Sequence, residues 1–161
     1  MDAAEFDAFY TGSFRRVVAQ VTAMIGNREE AQECVQEAFV RAWSHRHQLD
    51  QAHSREAWVR TTAYRLAVSR WRRDQLAKRS PDRALQVPDQ QTGPDEARVA
   101  LMTALARLPE EQRRALVLHH LCDLPVRQVA AEVGVPEGTI KARLSRGRAA
   151  LVALLGEASF V

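Results

Sequence analysis

Apolar residues recur at three- and four-residue spacing along almost the whole chain, and the longest break in that pattern runs from Ser80 to Pro94. No segment alternates apolar and polar residues for long enough between turn signals to read as a strand, so the pattern predicts an all-α fold. Phe6, Phe9, Tyr10, Phe14, Val17, Val18, Val21 and Ile25 form a first stripe, which stops at Gly26-Asn27, a helix terminator followed by a capping residue. Ala31, Cys34, Val35, Ala38, Phe39 and Ala42 form the next, ending near Trp43. Ser44 to Ser54 has no periodicity and reads as a loop. A third helix is expected over roughly Arg55 to Arg73. Within Ser80 to Pro94, Pro81, Pro88, Gly93 and Pro94 stand among Asp, Gln and Ser, a composition that cannot bury enough surface to order itself. The expected organisation is therefore two small helical domains, residues 1–79 and 95–161, joined by a flexible Pro-rich linker at 80–94. Fifteen linker residues span up to roughly 50 Å when extended. In the second domain a helix is expected over Asp95 to Leu108, one from Pro109 to about Cys122, and two more over about Pro125 to Val133 and Pro136 to Leu155.

The net charge of +3 is small, but it is unevenly spread. Asp2 to Glu37 carries about −4, whereas Arg65 to Arg79, with Arg65, Arg70, Arg72, Arg73, Lys78 and Arg79 against Asp74, carries +5. A chain polarised in this way calls for two different partner surfaces. No apolar run reaches the roughly 20 residues that cross a bilayer, and Asp2 and Glu5 stand where a signal peptide is basic, so a cytoplasmic protein without a membrane partner is expected.

The most specific local signal lies near the end of the chain. Ala130, Gly134 and Ile140 have the spacing of a helix-turn-helix. A small Ala130 admits the second helix, Gly134 supplies the positive φ of a tight turn, and Ile140 fills the angle between the helices. Val129, Val133, Val135 and Leu144 complete a small core. Pro136 suits a first helical turn, which would expose Glu137, Lys141, Ala142, Ser145 and Arg146 along the recognition helix. Lys141, Arg143, Arg146 and Arg148 against Glu137 give that helix +3, the sign needed to meet phosphates and base edges in a major groove. Thr139 and Arg143 join the same candidate surface.

A second signal is the third helix, where Trp58, Tyr64 and Trp71 are interleaved with Arg60, Arg65, Arg70, Arg72 and Arg73. Rings that stack on bases and guanidinium groups that hold the backbone are what an unpaired strand requires. Trp58 and Trp71 fit equally well as core residues.

The stretch from Ala31 to Trp43, AQECVQEAFVRAW, resembles the core-polymerase-binding helix of the extracytoplasmic-function (ECF, group 4) sigma factors of the sigma-70 family. The segment LPEEQR at Leu108 to Arg113, followed by VAAEVGVPEGTIKARL at Val129 to Leu144, is similar to that family's upstream-element reader. The resemblance covers about Phe6 to Leu155. It implies an N-terminal domain that docks on the β′ clamp helices of RNA polymerase and opens the −10 element, and a C-terminal domain that reads the −35 element and meets the β flap. It also implies that Glu33, Gln36, Glu37 and Arg41 contact core polymerase, that the Ser44 to Ser54 segment captures an unstacked base, and that an anti-sigma factor restrains the protein. Many members carry Asn and Asp in the third helix where this chain has Arg65 and Ser69, and an arginine cannot offer the paired donor and acceptor of an amide.

Two other functions would need features of their own. A helix-turn-helix regulator that binds duplex DNA without polymerase would ordinarily carry a signal-receiving domain with strands or a phosphoacceptor site, and the sequence has neither pattern. An enzyme or metal protein would have to be built from His119, His120 and Cys122, or from His45, His47 and His53. Neither group has the paired spacing of a zinc site, and His119 and His120 point about 100° apart on a helix. The 88-residue separation of Cys34 and Cys122 gives no disulfide framework. The expectation is a protein with no catalytic chemistry, no metal, no cofactor and no small-molecule substrate.

Overall fold

The computed structural model describes residues 1–52, 54–78 and 96–159, and the described residues form eight helices and no strand. The chain divides into two compact units, Met1–Ala84 and Leu85–Val161. The 80–94 linker and Arg79 lie outside the described residues.

In the N-terminal unit α1 spans Ala3–Ile25, α2 Arg28–Ser44, α3 Arg46–Gln51 and α4 Arg55–Lys78. Each boundary has a local cause. Asp2 and Glu5 close a reciprocal capping box at the start of α1, the Glu5 N–H donating to Asp2 at 2.8 Å. Gly26, at φ 77°, ends the helix in the left-handed region, and the Asn27 side chain then accepts from the Glu30 N–H at 3.0 Å to start α2. The core is a three-helix contact of α1, α2 and α4 around Val17, Val21, Ala31, Cys34, Val35, Ala38, Val59, Ala63 and Ala67. Small residues dominate the buried α2 and α4 positions, and much of the bulk is supplied by Phe6, Phe9, Phe14 and Phe39, packed edge-on or tilted at 5.4 to 6.4 Å.

The structure corrects the expected loop at Ser44 to Ser54, because most of it is α3. Leu49 is the reason: it is fully buried against the core. Burial of one leucine contributes about 2 kcal/mol, enough to hold a six-residue helix that could not stand alone. A single apolar residue generates no periodicity, which is why the segment lacked a helical signature.

In the C-terminal unit α5 spans Glu96–Ala106, α6 Glu110–Leu116, α7 Val126–Val133 and α8 Glu137–Ser159. The path of α6 continues through a π-helical turn, Val117–Leu121, in which the Cys122 N–H donates to the Val117 carbonyl at 3.0 Å. Leu105, Leu108, Ala115, Leu116, Val117, Leu118, Val129, Ala130, Ile140 and Leu144 are buried there. Gly147 is also buried: a Cβ on it would lie 3.0 Å from Leu116 Cδ1 and 3.4 Å from Gln112 Cβ, so the glycine sets how closely α6 and α8 pack.

Candidate nucleic-acid interface

The turn between α7 and α8 is built on Gly134, which sits at φ 84° and donates its N–H to the Ala130 carbonyl at 2.8 Å. The Val135 N–H reaches the same carbonyl at 3.1 Å, so one acceptor closes the end of α7. Val129 and Ile140 are fully buried, with Ala130 and Leu144 nearly so. These contacts hold α8 across α7 and leave Glu137, Lys141, Ala142, Ser145 and Arg146 exposed; their offsets of four, five, eight and nine residues spread them over the solvent-facing half of the helix. Thr139 is half-buried. Arg143 differs from its neighbours, because its side chain is only 21% exposed and lies 3.7 Å from Glu111 of α6. It braces the two helices.

On α4 the structure separates residues that composition had grouped. Arg65, Trp71, Arg72 and Arg73 are exposed, as is Ser69. Arg60 and Tyr64, expected on the strand-binding face, are instead buried, 2% and 6% exposed. Arg60 Nη1 donates to Gln20 Oε1 of α1 at 3.1 Å, which removes its guanidinium from any contact with a strand in this conformation. Tyr64 follows Ala63 on the core side of the helix. Trp58 is half-buried on the rim of the core, its ring 6.1 Å from that of His45. Arg70 bonds Glu33 of α2 at 3.2 Å, so a residue expected to meet DNA and one expected to meet polymerase are paired with each other. This pair borders an open groove of about 590 Å³, also lined by Asn27, Glu29, Glu30, Arg73 and Asp74.

The face of α2 turned away from the core carries Glu33, Gln36, Glu37 and Arg41, with Glu37 and Arg41 bonded at 3.3 Å one turn apart. Val40 lies among them and is 63% exposed. Sequence reasoning missed it, although its absence from the Ala31/Cys34/Val35/Ala38/Phe39/Ala42 stripe was a usable signal. Trp43 is partly exposed too, with the Arg46 guanidinium 4.4 Å above its ring.

The histidines of the C-terminal unit are both hydrogen-bonded within it. His119 Nδ1 donates to the Leu124 carbonyl at 2.7 Å, and His120 Nε2 accepts from Arg148 Nε at 3.2 Å. Desolvation, then the neighbouring His119 and Arg148, hold the His120 pKa below its ordinary value. Among the described residues no three His, Cys, Asp or Glu side chains are grouped to hold a metal, and no helix is long and apolar enough to cross a membrane. His53 lies outside the described residues.

Fold and site define a class: a two-unit helical DNA-binding protein whose second unit carries a helix-turn-helix. Residues 9–76 match the family model for sigma-70 region 2, and residues 98–151 match that for sigma-70 region 4. The ECF RNA polymerase sigma factor RpoE of Cereibacter sphaeroides is 34% identical over 124 residues, covering 71% of this chain and 66% of the relative. SigL of Mycobacterium tuberculosis is 33% identical over 129 residues, covering 75% and 72%, and SigW of Bacillus subtilis is 28% identical over 148 residues, covering 80% and 76%. Among solved structures, the sigma factor RpoE from Bartonella quintana, crystallised with the anti-sigma factor NepR, shares the fold with a TM-score of 0.81 at 24% identity, over 94% of this chain and 97% of that one. CnrH in complex with the cytosolic domain of CnrY shares it with a TM-score of 0.69 at 21% identity, over 97% and 90%. The chain belongs to the sigma-70 family, among its ECF sigma factors, and its function is to direct promoter-specific initiation of transcription.

Proposed function

We propose that the N-terminal unit docks on core RNA polymerase through α2 and holds the opened −10 strand on α4, while α8 enters the major groove of the −35 element. The observation that carries this division is the exposed face of α8: Lys141 and Arg146 project from a helix whose opposite side is anchored by Ile140 and Leu144. Phosphates and base edges would meet Glu137, Lys141, Ala142, Ser145 and Arg146 together, with Thr139 at the edge of the face and Arg143 bracing it from behind. On α2 the docking surface is Glu33, Gln36, Glu37, Val40 and Arg41, an apolar spot inside a charged rim, as expected of a protein interface. On α4 the strand meets Arg65, Arg72 and Arg73 with Trp71 available for stacking, and Arg70 joins when its bond to Glu33 opens.

The domain limits proposed are 1–79 and 95–161, with 80–94 as a tether. Each weakly bound unit then gains from the high effective concentration created when the other is engaged. The β flap is the proposed polymerase contact of the C-terminal unit, and an anti-sigma factor is the proposed restraint, since the similar RpoE was solved with the anti-sigma factor NepR and CnrH with the cytosolic domain of CnrY. The protein works in the cytoplasm with its polymerase and supplies binding energy, no catalytic chemistry and no cofactor.

A fluorescently labelled full chain titrated with core polymerase tests the reading. Val40→Asp is expected to weaken polymerase binding at least tenfold with an unchanged melting temperature, because the side chain is exposed in the free protein. Lys141→Ala/Arg146→Ala is expected to leave polymerase binding intact and to lower affinity for −35 duplex. A chain that binds promoter duplex but shows no affinity for core polymerase would instead be a helix-turn-helix regulator of the polymerase-independent kind.

A further inference from the structure

Arg60 is the one charged side chain buried among the described residues, and it lies where α4 meets α1. The core side of α4 carries a row of small residues at four-residue steps, Val59, Ala63 and Ala67, in one cluster with Val17 and Val21 of α1, flanked by buried Tyr64 and half-buried Trp58 and Leu66. Small side chains repeated every turn discriminate less sharply between one register and the next, about 5.4 Å away, than bulky ones do. Two polar rungs add to that discrimination. Gln20 accepts from Arg60 at 3.1 Å inside the core. One turn earlier on both helices, Arg16 of α1 bonds Glu56 of α4, and Glu56 Oε2 lies 4.0 Å from Arg60 Nη1. A one-turn slide would leave the Arg60 guanidinium and the Gln20 amide buried without these partners, an outcome that buried polar groups disfavour strongly.

We propose that the Gln20–Arg60 bond, supported by Arg16–Glu56, fixes the register of α4 on α1 and thereby sets where Arg65, Arg72 and Arg73 meet the opened strand. Gln20 and Arg60 are positioning residues. The registry function rests on the buried Gln20–Arg60 bond, while its consequence for the strand rests on the reading of α4 given above. Buried polar pairs that specify register at some expense of stability are known from helical assemblies, and Gln20–Arg60 has the same buried, cross-helix form.

The test compares wild type with Gln20→Leu/Arg60→Met, which removes the rung and keeps the volume apolar. Spin labels on cysteines placed at exposed Arg15 of α1 and Ser69 of α4, in a Cys122→Ser background, report the register directly. A single narrow distance is expected in wild type and a distribution broadened or shifted by about 5 Å in the double variant. The full chain bound to core polymerase is then titrated with a fluorescent single-stranded −10 oligonucleotide, and the double variant is expected to lose at least tenfold in affinity while its polymerase affinity is unchanged. Gln20→Asn, which retains the amide but shortens its reach, serves if the double variant does not fold and is expected to lose strand affinity with a melting temperature only a few degrees lower. An unchanged distance distribution overturns the inference, as does a shifted register with wild-type strand affinity. A shifted register together with no strand binding by the wild-type complex supports the registry role and refutes the assignment of the strand to α4.

Discussion

Replacing Gly134 with alanine should destabilise the C-terminal unit, and the same replacement four residues later, at Gly138, should stabilise it. No atom lies within 4 Å of a Cβ built at either position, so packing contributes to neither change. At Gly134 the backbone has φ 84°, where an L side chain costs about 1 to 2 kcal/mol; the lower entropy of the unfolded alanine chain offsets part of this and leaves a net loss of about 1 kcal/mol. Gly138 is the second residue of α8 and has no positive φ, so alanine there removes backbone freedom from the unfolded chain at no steric cost and gains about 0.5 kcal/mol. In a domain of this size 1 kcal/mol corresponds to a shift of about 4 to 8 °C in melting temperature. All three tryptophans, Trp43, Trp58 and Trp71, lie in the N-terminal unit, so their fluorescence follows that unit alone while far-ultraviolet circular dichroism follows both. Gly134→Ala is expected to lower a melting transition seen by circular dichroism and to leave the fluorescence transition in place; Gly138→Ala is expected to raise it. Shifts of the same sign in the two variants would refute the assignment of the turn to a left-handed residue.

Lys141→Ala or Arg146→Ala should weaken −35 duplex binding by about 1 to 3 kcal/mol where the side chain makes a bidentate base contact, measured by fluorescence anisotropy at fixed salt. The Glu33–Arg70 bond joins side chains that are 62% and 33% exposed, so a double-mutant cycle on thermal stability should return a coupling below about 1 kcal/mol, falling further in high salt. Because the folded-state pKa of His120 is depressed, the unfolded chain binds more protons below pH 6.5, and the stability of the C-terminal unit should fall as pH drops through that range; chemical denaturation of His120→Gln at a series of pH values should give a flatter profile.

The helix-turn-helix was readable from the sequence because each of its determinants is local. A positive φ demands a glycine at 134, and the burial of Ala130 and Ile140 follows from their spacing about that turn. The all-α class and the α2 stripe were readable for the same reason, since one helix face repeats every three or four residues. Arg60 and Tyr64 were misassigned because interleaved rings and cations do not say which face is solvent, and the partner that makes a buried arginine tolerable, Gln20, is 40 residues away on another helix. Arg143 likewise looked like its exposed neighbours until Glu111 of α6 was brought within 3.7 Å. The role of Gly147 depends on Leu116 and was invisible for the same reason: nothing about a glycine in a helix announces which neighbour it admits.

Run-off transcription with core polymerase on a promoter library tests the division of labour most directly. Addition of the full chain should produce transcripts from a subset of templates that share both an upstream and a −10 element, and Lys141→Ala/Arg146→Ala should abolish dependence on the upstream element while binding to polymerase persists. Transcripts that are the same with and without the chain would contradict the account.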